Sequence, residues 1–215
     1  MAHEDQRRQV VQIAQIMASS GLVAGTWGNV SCRIAGRPWM AVTPSGMDYP
    51  QLKVTDIVLM DFDGQTVEGD RRPSTESTLH AAIYRARPEV GAVVHTHSQY
   101  ATAFAVARQP IPAVTEELAQ VVGGAVQVAR YETCGTSELA DAAVEALGSS
   151  DAVLLANHGV VGTGKNLEEA YRNCIIVEKT AQIAVLARSL GGYTELDAQQ
   201  VEEMRRIFLT KYGQI

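Results

Sequence analysis

The sequence predicts one α/β domain, and three observations carry that reading. The chain has 215 residues, 46% of them hydrophobic, enough to bury a core without disulfides or other staples. Segments with helical and strand periodicity alternate along its length. The segment Asp151–Ala156 reads as an apolar strand, the pattern of a sheet covered on both faces.

Each element has its own signal. From Asp5 to Ser20 the apolar positions Val10, Val11, Ile13, Ile16 and Met17 recur at helical spacing, and Gly21 supplies the stop. Strands are expected at Val30–Ile34, Trp39–Val42 and Ile57–Asp61, with an Asp63-Gly64 hairpin turn into a return strand at Gln65–Glu68. The first third is thus antiparallel in character. A helix is expected over Thr75–Ala86, with Ser74 as its N-cap and Pro88 beyond its end. The strand Ala92–Thr96 follows, then helices at Gln99–Ala107 and Glu116–Val122. A strand at Val126–Ala129 leads to a helix ending at Leu147 and capped by Thr136 or Ser137. After the apolar strand, Gly159–Asn166 is expected to be a turn. Helices over Leu167–Leu190 and Asp197–Leu209 complete the chain.

Charge and cysteine usage exclude several classes of function. The net charge of −6 is interspersed rather than blocked, which disfavours nucleic acid and anionic membranes as partners. Cys32, Cys134 and Cys174 are odd in number and widely spaced, as suits a reducing compartment, and the charged N-terminus does not resemble a signal sequence. No run approaches the roughly 20 apolar residues of a membrane span. A cytoplasmic location is expected.

The chemistry-bearing residues cluster in motifs. In Val93-Val94-His95-Thr96-His97-Ser98, the period of a strand points His95 and His97 the same way, so both can meet one divalent ion. His158 emerges from the end of the apolar strand and is followed by a glycine that lets the backbone turn. Three histidines at neighbouring strand ends leave an open coordination position, the plan of a catalytic zinc site. Of the remaining histidines, His3 lies in the terminus, and His80 sits within a helix where packing or exposure is expected. Gly25-Thr26-Trp27-Gly28-Asn29-Val30-Ser31 is either an ordinary turn or an anion cradle with donors from Thr26 and Asn29. Glu76 either ligates metal or moves protons, or it simply suits a helix N-terminus. Gly159-Val160-Val161-Gly162-Thr163-Gly164-Lys165-Asn166 falls short of a P-loop because Asn166 stands where a Ser or Thr should hold magnesium.

Taken together, Gly25–Ser31, Thr43-Pro44-Ser45-Gly46, Pro73-Ser74-Thr75-Glu76, Val93–Ser98 and Asn157-His158-Gly159 resemble the class II aldolase/adducin family, most nearly its L-fuculose-1-phosphate-type aldolases. The resemblance spans nearly the whole chain. It implies an α/β/α sandwich around a mainly antiparallel sheet, one catalytic domain over 1–215, and a homotetramer with shared active sites. It also implies a divalent metal, zinc most often, with manganese or cobalt as alternatives. On the same basis His95, His97 and His158 are metal ligands, and Glu76 is the acid/base that also ligates metal without substrate. Thr26, Asn29, Ser45, Gly46, Ser74 and Thr75 would hold a phosphate, and Tyr212 would handle the aldehyde oxygen unless it is simply a loose terminal residue. The reaction implied is cleavage of a ketose 1-phosphate to dihydroxyacetone phosphate and an aldehyde.

Two departures bear on the substrate. No tyrosine occurs in Val114–Leu118 around Glu116, where the fuculose-type enzymes carry a catalytic one, and Cys134 replaces a phenylalanine on the aldehyde side. A 5-deoxypentulose or 5-methylthioribulose 1-phosphate is therefore expected beside L-fuculose 1-phosphate. The alternatives on the same fold are a phosphosugar dehydratase, a decarboxylase of an oxo-acid phosphate, which would carry a Lys at Thr75, and a non-catalytic adducin-like interaction module.

Overall fold

The computed structural model describes residues 2–211. An eight-stranded sheet runs through it in the order β4-β3-β2-β1-β5-β8-β7-β6. The strands are β1 (Asn29–Ile34), β2 (Trp39–Val42), β3 (Val58–Asp61), β4 (Thr66–Glu68), β5 (Ala92–Thr96), β6 (Val128–Ala129), β7 (Ala152–Leu155) and β8 (Gly159–Gly164). The helices are α1 (Glu4–Ser19), α2 (Ser77–Ala86), α3 (Gln99–Ala107), α4 (Glu116–Val121), α5 (Ser137–Leu147), α6 (Leu167–Ser189) and α7 (Ala198–Lys211).

The sheet is mixed. All its pairings are antiparallel except β6 with β7, which run parallel in the register Val128↔Leu154. The exception follows from connectivity: β6 reaches β7 through α5, and a helical crossover returns the chain in the same direction. β6 is also shorter than expected, because Val126 instead forms an isolated bridge with Ile111.

Side-chain alternation along the strands separates two cores. Val93, Val153, Leu155 and Val161 pack under α2 and α5. Val30, Ala92 and Val94 face α1 and α6, while Leu154 and Val160 meet α3, α4 and α6. The opposite faces of the sheet are thus covered by different helices.

The expected turn at Gly159–Asn166 is the central strand β8, inserted between β5 and β7. Its glycines serve close approach. A Cβ at Gly162 would lie 2.7 Å from the Ala170 carbonyl and from Cys174 Sγ, and one at Gly164 would lie 2.6 Å from Ala170 N. Only a bare backbone lets α6 settle this near β8. The helix meets it with small residues of its own, Ala170, Cys174, Ala181 and Ala184.

The second correction concerns α2. Ser74 is not its N-cap: the helix begins at Ser77, Glu76 occupies the cap position, and Ser74 Oγ accepts a 3.3 Å bond from Glu76 N. Glu76 is therefore held at the junction of loop and helix, with 5% of its surface exposed. Among the described residues no helix is long and apolar enough to cross a membrane.

Candidate active site

β5 carries His95 on the same face as Val93, beneath α2, and His97 follows just beyond the strand with its N–H bonded to Leu22 O at 3.1 Å. His158 sits in the tight connection between β7 and β8, where Asn157 takes a left-handed φ of 56°. Asparagine tolerates that region better than most residues. Arg108 secures it, donating from Nε to Asn157 Oδ1 at 3.0 Å.

These elements bring Glu76, His95, His97 and His158 together, each offering a ligand atom within 4.8 Å of the others. His95 Nε2 lies 2.9 Å from His97 Nε2 and 3.3 Å from His158 Nε2. The Glu76 carboxylate is 3.3 Å from His95 Nε2 and 3.4 Å from His158 Nε2.

The donor set fits a divalent cation. His95 Nδ1 lies 3.0 Å from the Val160 carbonyl, which can only accept, so that nitrogen carries a proton and Nε2 is the atom turned toward the other histidines. Burial and the neighbouring imidazoles lower the pKa of His97 to about 3, and burial and His95 lower that of His158 to about 4, so both rings are neutral, as ligation requires. Glu76 Oε1 is buried and makes no hydrogen bond. Burial raises the Glu76 pKa, but the facing His95 and His158 and the Asn29 amide outweigh burial and lower the pKa to about 2. Ring nitrogens converging beside an unsatisfied carboxylate oxygen suit a metal better than they suit one another.

A polar ladder fixes Glu76 in place. Alternate residues of β1 reach residues four apart on α2. Asn29 Nδ2 donates to Glu76 Oε2 at 2.8 Å, and Ser31 Oγ bonds His80 Nδ1 at 2.7 Å and the Tyr84 hydroxyl at 2.8 Å. Arg33 donates to the carbonyls of Tyr84 and Arg87 at 2.7 and 3.1 Å. The match arises because two residues of strand and one turn of helix advance the chain by nearly the same distance. His80 is thus a buried packing residue, its pKa lowered to about 3 by burial and by nearby His95.

All the expected phosphate positions line one small cavity of about 80 Å³: Thr26, Asn29, Ser45, Gly46, Ser74 and Thr75. Among the described residues no Lys or Arg lines it. The isolated bridge Pro44↔Pro73 sets the two hydroxyl-bearing loops side by side. Some of the expected donors are already engaged: Ser45 N bonds Arg72 O, Ser74 N bonds Thr43 O, and the Asn29 amide faces Glu76. What Ser45 and Ser74 retain for an anion is their hydroxyls. The buried hydroxyl of Tyr49, which the sequence did not single out, donates to the Gly28 carbonyl and anchors the Thr26–Asn29 turn.

A second, wider cavity of about 440 Å³ adjoins the histidines, lined by residues including Trp27, His97, Tyr131, Cys134 and His158. Trp27, Cys134 and His158 border both cavities. Partial burial together with the nearby Glu76 carboxylate pushes the Cys134 thiol pKa up to about 12. Glu116 lines neither cavity. Tyr212 lies outside the described residues.

Residues 8–185 match the family described as Class II Aldolase and Adducin N-terminal domain. The chain belongs to this family. It is similar, at 38% identity over 100% of both chains, to a protein of Bacillus thuringiensis serovar kurstaki named 5-deoxy-D-ribulose 1-phosphate aldolase. A Rhodospirillum rubrum protein named 5-methylthioribulose-1-phosphate/5-deoxyribulose-1-phosphate aldolase is 35% identical, over 96% of this chain and 92% of that one. A solved structure named L-fuculose 1-phosphate aldolase superposes with a TM-score of 0.94 at 39% identity, over 97% of this chain and 98% of that one.

Proposed function

We propose that this class II aldolase cleaves a ketose 1-phosphate whose aldehyde half ends in a small apolar group, a 5-deoxypentulose or 5-methylthioribulose 1-phosphate in preference to L-fuculose 1-phosphate. The observation that carries the reading is a buried carboxylate set among imidazoles, between a small hydroxyl-lined cleft and a wider cavity. The cleft suits the phosphate of the fragment that becomes dihydroxyacetone phosphate, and the wider cavity suits the departing aldehyde.

In this assignment His95, His97 and His158 hold a divalent ion, zinc in our reading, with Glu76 as a further ligand until substrate enters. A metal there supplies Lewis acidity for charge developing on the ketose carbonyl oxygen. Thr26, Asn29, Ser45, Gly46, Ser74 and Thr75 position the phosphorylated fragment, and position alone is a large share of such catalysis. Breaking C3–C4 needs the C4 hydroxyl proton removed, a role we give Tyr212, which relays it to the ionised Glu76, and leaves the electron pair at C3, to which Glu76 then delivers that proton and returns to the carboxylate. The ladder from Asn29 to Arg33 keeps Glu76 aimed while it does so. We further place residues 1–215 in one catalytic domain, in a cytoplasmic homotetramer with sites shared between subunits. The exposed Ile183, Leu186 and Leu190 of and beyond α6 support an assembly of that kind.

The test is to follow dihydroxyacetone phosphate release from the candidate ketose 1-phosphates, with metal content measured in parallel. Cleavage that chelation stops and zinc restores is expected. Recovery of a C4 epimer in place of free products, or no turnover by metal-replete protein, would overturn the reading. Glu76→Gln is expected to lose roughly 10²–10⁴-fold in kcat while keeping its metal; an active, metal-replete Gln variant would remove Glu76 from the proton transfer.

A further inference from the structure

We infer that Trp27 is the specificity-determining residue of the aldehyde side, forming with Tyr131 an apolar wall that favours an aldehyde ending in methyl or methylthio over one ending in hydroxyl. This rests on the aldolase reading and deepens it.

Trp27 is 67% exposed and Tyr131 57% exposed, unusual for large rings flanking a buried polar cluster. Both line the 440 Å³ cavity, whose floor is His97 and His158. The indole is held by the ligand set itself, its ring centroid 5.9 Å from that of His97. The phenol ring of Tyr131 is held from behind by the Arg108 guanidinium, 5.8 Å from its centroid. That same Arg108 braces Asn157, the residue before His158. Because Trp27 borders the phosphate cleft as well, a substrate anchored there passes the indole before its far end reaches the wide cavity. The walls at that point offer the Trp27 and Tyr131 rings and the Cys134 thiol, while Glu132 is paired with Arg130 and Asn157 Oδ1 with Arg108 at the same cavity. Against the faces of the two rings a terminal hydroxyl gains little, whereas a methyl or methylthio group gains ring contact. Pockets that sort by a single small group discriminate about 10–200-fold.

The experiment compares 5-methylthioribulose 1-phosphate with ribulose 1-phosphate, which differ at the aldehyde terminus alone. For the metal-loaded wild type, kcat/KM is expected to favour the methylthio substrate at least about tenfold. Trp27→Ala should bring the ratio within about threefold by lowering the methylthio value, and Trp27→Phe should restore most of it. In parallel, calorimetric Kd values for both sugars on the Glu76→Gln background should show the same loss of preference on Trp27→Ala. If no sugar is cleaved but that binding preference persists and depends on Trp27, the aldolase reading fails and this inference stands. If Trp27→Ala lowers both sugars equally, as a packing or subunit-docking role would, or leaves the ratio unchanged, the inference is overturned. Because the indole is largely exposed, the substitution removes little buried surface, and an unchanged Tm confirms that the fold is retained.

Discussion

Ser31→Ala tests whether the β1–α2 ladder holds the catalytic geometry. The hydroxyl lost sits 2.7 Å from His80 Nδ1 and 2.8 Å from the Tyr84 hydroxyl, and both partners are almost fully buried, His80 at 0% and Tyr84 at 1% exposure. Leaving a buried polar group without a partner costs about 1–3 kcal/mol. Two such groups give an upper range of about 2–6 kcal/mol, and about 2–4 kcal/mol remains after partial relaxation of the two side chains toward each other. The functional consequence follows from position. Glu76 lies one helical turn before His80, so a shift of α2 alters its 3.3 Å approach to His95, and a displacement near 1 Å costs on the order of 10²-fold in rate. Urea unfolding of chelated protein at fixed concentration measures the first effect, and kcat of metal-loaded protein measures the second. A loss below about 0.5 kcal/mol, the usual range of surface substitutions, together with unchanged kcat, would show that the ladder does not position Glu76.

Three further outcomes are expected. Gly162→Ala should destabilise by about 1–3 kcal/mol through overpacking, since its Cβ would lie 2.7 Å from Ala170 O and Cys174 Sγ; a wild-type melting temperature would show that α6 yields freely. His80 contributes an acid-labile increment. Its folded pKa is about 3, while the unfolded chain takes its proton near 6.5. Between those values the unfolded state binds more protons, so stability is fully present above about pH 6.5 and falls as pH drops, by at most about 1.4 kcal/mol per pH unit. Comparing the pH dependence of urea midpoints for chelated wild type and His80→Gln, the variant should show the shallower slope; equal slopes would refute the assignment. Finally, adding zinc to chelated protein should raise Tm, and His97→Ala should abolish most of that rise; an undiminished rise would place the metal elsewhere.

Much of this protein was legible without coordinates. Periodicity located α1, β1, β2, β5 and α6, because each has a dominant apolar face or a clean terminal signal. The His95/His97 pair was visible because strand alternation is a local property. The run Gly159–Gly164 was misread because glycine signals a turn by its own conformational freedom, whereas these glycines are required by α6, a helix that lies against them only in the folded chain. The N-cap of α2 was misplaced for a related reason: Glu76 is held by Asn29 and the facing histidines, and those tertiary contacts override the capping preference of Ser74.

By itself, then, the sequence determined the element order, the covered sheet and the residue types of a candidate metal site, since these follow from spacing along one chain. Tertiary structure decided that His158 meets His95 and His97, because β8 inserts beside β5 and places residues far apart in sequence within 3.3 Å. It also decided that Asn29, Ser31 and Arg33 form a ladder with α2, and that Trp27 and Cys134 stand between two cavities. The physical reason is that short-range propensity specifies which way a side chain points along its own element, and only the packing of elements specifies what it points at.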